Sequence, residues 1–295
     1  MMANFLICGG NGLLGSWWRQ HKCVGNNVFC LSESRDHSSL SNTVVASKSN
    51  ADQLAKVFER NKVDYVINCV ALANVDQCEK DKDLANFLNA QFPRILATAS
   101  KSVGAKIVHI STDHLHGSLS HSTLIKESMP PSTCNHYAET KLAGEEYIQE
   151  ITNNHLILRT NFFGNSMSSK PSYSDWLRDS LQQGREVNIP SGIYFNPVHY
   201  TTLIELAHKL MQKRANGVFN ISCDSFIEKI DFAMSIAKAY GLNKSLIKSC
   251  HKYQDANRFP KRPNWMCLDN SKVSSVLGVT IGDYTKQISH LFKDV

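Results

Sequence analysis

The 295-residue chain contains no block of about five or six like charges, no cysteine pair spaced as CxxC and no internal repeat or low-complexity segment. It also lacks any apolar run near the ~18 residues that span a bilayer. The first absence excludes a nucleic-acid arm or a polybasic membrane patch, so neither a nucleic acid nor a membrane is an expected partner. With only 8 prolines, 42% hydrophobic and 20% charged residues, the composition excludes a disordered or fibrous chain and leaves an ordinary globular one. Nine cysteines, an odd number, several of them inside apolar runs, read as free thiols in a reducing compartment. The start, Met1 to Cys8, has no basic n-region, apolar stretch or small-residue cleavage site, so the expected location is cytoplasmic. The net charge of +6 is spread along the chain and suits an anionic small-molecule ligand.

What is present is a rhythm of short apolar runs and helical stretches. Asn4 to Cys8 leads into a helix from about Leu13. Further strand-like runs follow at Val28 to Leu31, Asp64 to Val70 and Lys106 to Ile110, with helices predicted over Asp52 to Asn61 and Asp83 to Val103. Near-continuous apolar strands imply a sheet covered on both faces. The expected fold is α/β: a Rossmann-type doubly wound parallel sheet with a smaller C-terminal substrate-binding part. A helix is predicted from near His136 past Tyr147 and a strand at Leu156 to Arg159. Residues 165–173 read as a loop, and helices are predicted at Trp176 to Gln183, Thr202 to Lys213 and Glu228 to Tyr240, stopped by Gly184, Gly217 and Gly241. The expected division is a dinucleotide-binding domain over 1–164 and a mainly substrate-binding region over 165–295, some of whose segments return to the first domain.

Three groups of residues point to chemistry. The first strand is followed by Gly9-Gly10-Asn11-Gly12-Leu13-Leu14-Gly15 and then a helix. Glycines in this context allow a tight turn, backbone approach to a pyrophosphate and close helix–strand packing, and the helix N-terminus favours the phosphates. About twenty residues on, at the end of the second strand, the chain reads Ser32-Glu33-Ser34-Arg35. If Ser32 holds the position that selects the cofactor, a 2′-phosphate fits and Arg35 pairs with it, giving NADP; if Glu33 does, NAD is selected.

The second group is Tyr137 and Lys141, four residues apart and so on one helix face. A phenol with an ordinary pKa of about 10 becomes a usable proton carrier when a neighbouring ammonium favours its phenolate. The third is Ser111-Thr112-Asp113, directly after an apolar strand, where a hydroxyl can bond a carbonyl oxygen that gains charge as hydride arrives. Each motif has a plainer explanation as a turn, a cap or a surface helix face.

Together they resemble the extended short-chain dehydrogenase/reductases and, within them, the dTDP-4-dehydrorhamnose reductase-like proteins. The resemblance also covers Ile67 to Ala71, Val75-Asp76, Glu79, Asn89-Ala90, Leu142 to Glu145, Leu158 to Asn161, Arg262-Pro263 and Leu268-Asp269. It implies Thr112, Tyr137 and Lys141 as catalytic residues. Gly9, Asn11, Gly12, Leu13, Leu14, Gly15, Ser32, Arg35, Ala71, Leu72, Ala73, Tyr137 and Lys141 would line an NADP or NAD site, and Thr112, Asp113, Asn161, Phe162 and Arg262 would approach a nucleotide-sugar substrate. The implied reaction is reduction of a nucleotide-linked 4-keto-6-deoxy sugar in polysaccharide biosynthesis, with the oligomeric state, including a homodimer, left open.

The chain departs from that pattern at Ser32 and Ser47, where the family commonly has Asp, and at His114-Leu115-His116, where it has a Tyr-Val-Phe-like run. Thr160 to Gly164 lacks the tryptophan of the rhamnose enzyme. His114 also stands where related dehydratases place Glu. A spacing of two with no further clustered ligands makes these loop histidines, and no metal is expected. Two other readings stay open: a non-catalytic NADP-binding subunit resembling the methionine adenosyltransferase β-subunit, and a nucleotide-sugar epimerase.

Overall fold

The structure, a computed structural model, describes residues 3–21, 27–32, 43–117, 123–250 and 259–292. The chain divides into two compact units. One comprises Met1–Thr112, Asn135–Arg159 and Met211–Phe219; the other comprises Asp113–Cys134, Thr160–Leu210 and Asn220–Val295.

The first unit is built on β1 (Asn4–Cys8), β2 (Asn27–Ser32), β3 (Thr43–Val45), β4 (Tyr65–Asn68), β5 (Lys106–Ile110) and β6 (His155–Thr160), with a seventh strand at Gly217–Ile221. Their order across the sheet is Gly217–Ile221, β6, β5, β4, β1, β2, β3. The pairings of β1 with β2 and β4, of β2 with β3, and of β5 with β4 and β6 are parallel. This is the Rossmann-type doubly wound order, with its crevice where the direction of winding reverses between β1 and β4. The registers Cys8↔Asn68 and Asn68↔His109 set the ends of three neighbouring strands side by side.

Around the sheet run α1 (Leu13–His21), α2 (Ala51–Arg60), α3 (Val75–Lys80), α4 (Lys82–Asn86), α5 (Phe92–Val103) and α6 (His136–Ile151). Asn50, Asn74 and Asn135 start α2, α3 and α6 by accepting a backbone N–H from inside the first turn. Leu6 and Ile107 of the sheet pack with Leu54 and Phe58 of α2, Phe92 and Leu96 of α5 and Ile148 of α6. Burying a side chain of this kind stabilises the fold by about 1.5–3 kcal/mol.

Within the second unit, α7 (Tyr173–Gln182) begins with a capping box between Ser172 and Asp175, and α8 (Tyr200–Gln212) and α9 (Lys229–Ala239) follow. Short strands pair Val187–Pro190 with Ile247–Cys250, and Tyr194–Phe195 with both Ile227–Glu228 and Trp265–Met266. Phe163, Leu177, Ile189, Phe232, Ile236 and Ile288 belong to its core.

Several expectations are corrected. The single helix over Asp83 to Val103 is interrupted by a π-helical turn at Phe87–Gln91, where one extra residue per turn aims Asn89 inward. Gly217 does not stop a helix: α8 ends at Gln212, and Gly217 opens the seventh strand with φ 103°. Gly184 and Gly241 do follow the ends of α7 and α9, with φ 70° and 66°. The chain passes between the units after Thr112, Cys134, Arg159, Leu210 and Phe219. The segments that follow β5 and β6 leave the sheet at its C-terminal edge, and only part of the chain beyond them returns.

Inside the first unit the fully buried Glu145 of α6 accepts from Arg159 Nε on both oxygens at 3.1 Å and from Nη2 on Oε2 at 2.7 Å, and Ser111 Oγ donates to Oε1. This group fastens α6 to the ends of β5 and β6. Glu145→Ala removes the buried carboxylate that Arg159 engages and should lower the unfolding free energy by about 3–5 kcal/mol, read as a lower urea midpoint; an unchanged midpoint would refute that role.

Candidate functional site

The turn after β1 is shaped by close approach. Gly9 has φ +82°, and Gly12 N–H donates to its carbonyl at 2.9 Å. A Cβ on Gly15 would lie 2.2 Å from that same Gly9 oxygen, so any side chain there would push α1 off the strand end. α1 therefore starts directly over the turn, with no acidic residue in its first turn to offset its positive end. Asn11 and Gly12 are exposed, Gly9 and Leu13 half-buried, and Leu14 buried. This is a cradle that fits a pyrophosphate. Ser32 is the last residue of β2 and half-buried, and its carbonyl accepts from Ala46 N at 3.1 Å. Arg35 and Glu33 lie outside the described residues.

The catalytic candidates also belong to the first unit. Thr112 is buried two residues beyond β5, and Tyr137 is half-buried in the first turn of α6, which Asn135 caps by accepting from Ala138 N. Lys141 lies one turn further along and is 1% exposed. Its Nζ donates to Ile110 O at 2.7 Å and lies 3.2 Å from His109 Nε2. Burial pushes Lys141 down to about 8, against the opposite pull of Glu145 and Cys69. Burial, with Lys141 adding to it, holds His109 well below the usual imidazole value, so the ring is neutral.

The loop after β4 is held from below. Asn89, fully buried in the π-turn, accepts from Leu72 N at 2.8 Å and donates to Leu72 O at 3.1 Å and to Thr140 Oγ1 of α6 at 3.1 Å. A Cβ on Gly144 would come 2.2 Å from Asn89 O, so glycine is required for α6 to pack this close. One side chain thus joins the segment Ala71-Leu72-Ala73 to the helix that carries Tyr137 and Lys141. Asn89 was legible as part of a family match but had no assigned role.

Asp113, Asn161, Phe162 and Arg262 belong to the second unit, so the expected site residues are shared between the two. Asn161 Nδ2 donates to the buried Asp113 at 2.9 Å. A cavity of about 160 Å³ is lined by His114, Asn161, Phe162, Tyr173, Lys229 and Phe232 among others. Lys229 Nζ lies 5.7 Å from the centre of the Tyr173 ring. Burial and the Arg262 charge lower Lys229, while Asp113 raises it. Burial, helped by Lys229 and Arg262, pushes His114 down to about 3, so its 3.9 Å approach to Asp113 is a dipolar contact and not an ion pair. Lys229 and Tyr173 were not expected, and no local motif marks either one.

The strand order, the glycine turn and the Tyr137 and Lys141 helix face define a Rossmann-type protein of the short-chain dehydrogenase/reductase kind. Residues 2–295 match the family described as the RmlD substrate binding domain. The chain belongs to that family, as the motif resemblance implied. It is 26% identical, over 98% of both chains, to the probable low-salt glycan biosynthesis reductase Agl14 of Haloferax volcanii. Among solved structures it resembles a dTDP-4-dehydrorhamnose reductase from Bacillus anthracis in complex with NADP (TM-score 0.87, 22% identity, all of both chains). It also resembles a dTDP-4-dehydrorhamnose reductase from Clostridium acetobutylicum (TM-score 0.82, 26% identity, 98% of this chain and 99% of that one).

Asn89→Leu keeps the volume but leaves the Leu72 N–H unpaired and its carbonyl with only the weak Cys78 thiol donor. Unfolding free energy should drop by about 2 kcal/mol or more, and dinucleotide affinity should weaken along with it. Calorimetric titration of the variant checks this, and unaltered affinity would show that the Leu72 loop does not depend on Asn89.

Proposed function

We propose that the protein is an NADP(H)-dependent reductase of a nucleotide-linked 4-keto-6-deoxy sugar, acting in glycan or polysaccharide biosynthesis. The observation that carries this reading is the buried Lys141 amine, fixed to the carbonyl of Ile110 one helical turn from Tyr137, on the unit that also carries the glycine turn and Thr112. Agl14, a full-length relative, is a probable glycan biosynthesis reductase, which supports the same class.

In this reading Gly9, Asn11, Gly12, Leu13, Leu14, Gly15 and the Ala71-Leu72-Ala73 segment hold the dinucleotide. Ser32, a small neutral residue at the end of β2, leaves room for a 2′-phosphate and supports NADP over NAD. When bound, the nicotinamide supplies a hydride. Thr112 and Tyr137 hydrogen-bond the substrate carbonyl oxygen, Tyr137 gives it a proton, and Lys141 restores that proton and holds the nicotinamide ribose. Asp113, Asn161, Phe162, Lys229 and Arg262 of the second unit take the nucleotide sugar, the guanidinium suiting the diphosphate. The described cysteines are free thiols, which supports a cytoplasmic, reducing setting. Among the described residues no helix is long and apolar enough to cross a membrane.

Calorimetric titration with NADPH and NADH, followed by NADPH consumption with dTDP- and UDP-linked 4-keto-6-deoxyhexoses, tests the reading. Tight NADPH binding with turnover of one such sugar is expected. Binding without turnover of any, together with a stoichiometric protein partner, would make it a regulatory subunit instead. Tyr137→Phe should lower turnover by about 10²–10⁴-fold while leaving dinucleotide binding nearly unchanged, and a fully active variant would refute the mechanism.

The pH dependence follows from Lys141, which is charged below about 8 and neutral above it. Because reduction consumes a proton, kcat/KM should fall as pH rises through about 8, in a limb belonging jointly to Lys141 and Tyr137. A rate that rises across that range would contradict the assignment.

A further inference from the structure

At the end of the sheet three polar side chains form a line. Asn68, the last residue of β4, and His109 of β5 are paired in register, and both are fully buried. Asn68 Oδ1 accepts from Val70 N at 3.1 Å. That bond fixes the amide, because turning it over would set an NH₂ against the Val70 N–H. The NH₂ of Asn68 therefore faces His109 Nδ1, at 3.1 Å. A neutral imidazole holds one hydrogen, and a ring nitrogen that accepts from an amide does not carry it. His109 must then be protonated on Nε2, the nitrogen 3.2 Å from Lys141 Nζ. An N–H directed at an ammonium is repulsive; directed at the lone pair of an amine it is a hydrogen bond.

We propose that Asn68 and His109 form a tautomer lock, in which the backbone-fixed amide of Asn68 sets the hydrogen of His109 on Nε2 and so favours the neutral amine of Lys141 over its ammonium. Both are positioning residues that act through Lys141. Among the described residues the other titratable groups acting on Lys141 are Glu145 on α6 and Cys69 after β4, and Tyr137 lies one turn away on the same helix face. Glu145 and Cys69 favour the ammonium, but Arg159 and Ser111 already engage the Glu145 carboxylate, and burial pushes Cys69 up to about 12, so it stays a neutral thiol. The lock works with burial to keep the Lys141 proton loosely held.

The consequence rests on the reductase reading. After Tyr137 has given its proton to the substrate oxygen, one N–H bond of the Lys141 ammonium breaks and an O–H bond forms on the Tyr137 phenolate. The lone pair left on Nζ then accepts the His109 Nε2–H. His109 keeps its own hydrogen throughout, and solvent reprotonates Lys141 before the next turnover.

The test is spectroscopic and needs no substrate. Nitrogen-15 NMR of the imidazole rings, with His109 assigned by comparison with a His109→Leu variant, reports which nitrogen is protonated. A carbon-13 label at lysine Cε follows the titration of Lys141. We expect His109 to be protonated on Nε2 across about pH 6 to 9 in the unaltered protein. In Asn68→Asp the carboxylate still accepts from Val70 N but now also accepts from His109 Nδ1–H. The ring hydrogen should move to Nδ1, and the Lys141 titration should rise by about one pH unit or more. The rise should be at most half as large when His109→Leu is added, since a direct charge effect would survive loss of the ring. His109 protonated on Nδ1 in the unaltered protein overturns the lock without mutagenesis. An unmoved Lys141 titration in folded Asn68→Asp, or an undiminished rise in the double variant, overturns it as well. Each of these results leaves the activity assignment to the turnover assay.

Discussion

A primary amine placed out of water at the end of a parallel sheet is the constraint on which the first unit turns. Desolvation makes such an amine costly unless its hydrogens and lone pair are met by fixed partners. Here the partners are the Ile110 carbonyl and the His109 ring, and both come from β5. α6 must lie close enough to bring Lys141 to them. Gly144 permits that approach, Asn89 bonds to Thr140 across it, and the Glu145 and Arg159 pair secures the next turn of the helix. The buried polar groups Thr140, Lys141 and Glu145 on α6 are thus each met by fixed partners.

The glycine turn and the α6 face are shaped by different physics. The first works by absence of atoms: without Cβ at Gly15, backbone donors reach the surface over the end of β1. The second works by burial: a lysine that would be fully charged in water is brought to about 8, within reach of a phenol one turn away. The second unit supplies a different environment, an aromatic-walled cavity with a half-buried ammonium and a neutral histidine. Such a mixture suits a sugar ring that offers both apolar faces and oxygen acceptors.

Much of this was legible in the order of residues because the signals are local. A strand followed by closely spaced glycines and a helix reads the same way in any α/β chain, and a spacing of four fixes a shared helix face whatever the helix packs on. The π-turn was not legible, since Asp83 to Val103 has unbroken helical periodicity and the extra residue is inserted to satisfy a partner far away in sequence. Gly217 misled because the same conformational freedom that ends a helix can also open a strand. His109 did leave a trace: an imidazole in an otherwise apolar buried strand implies a bonded partner, although the strand alone does not say which.

The sequence by itself determined the class of fold and the family, and it singled out the glycine turn and the Thr112, Tyr137 and Lys141 set as candidates, because each rests on short-range geometry or on motifs in a fixed order. Only the tertiary structure decided that Asn68 stands beside His109, that Asn89 holds the Leu72 loop, and that Lys229 faces Tyr173. Strand register, a π-turn and the packing of a second unit join residues tens of positions apart. No local periodicity encodes which of them will meet, because that depends on which buried polar groups must find one another.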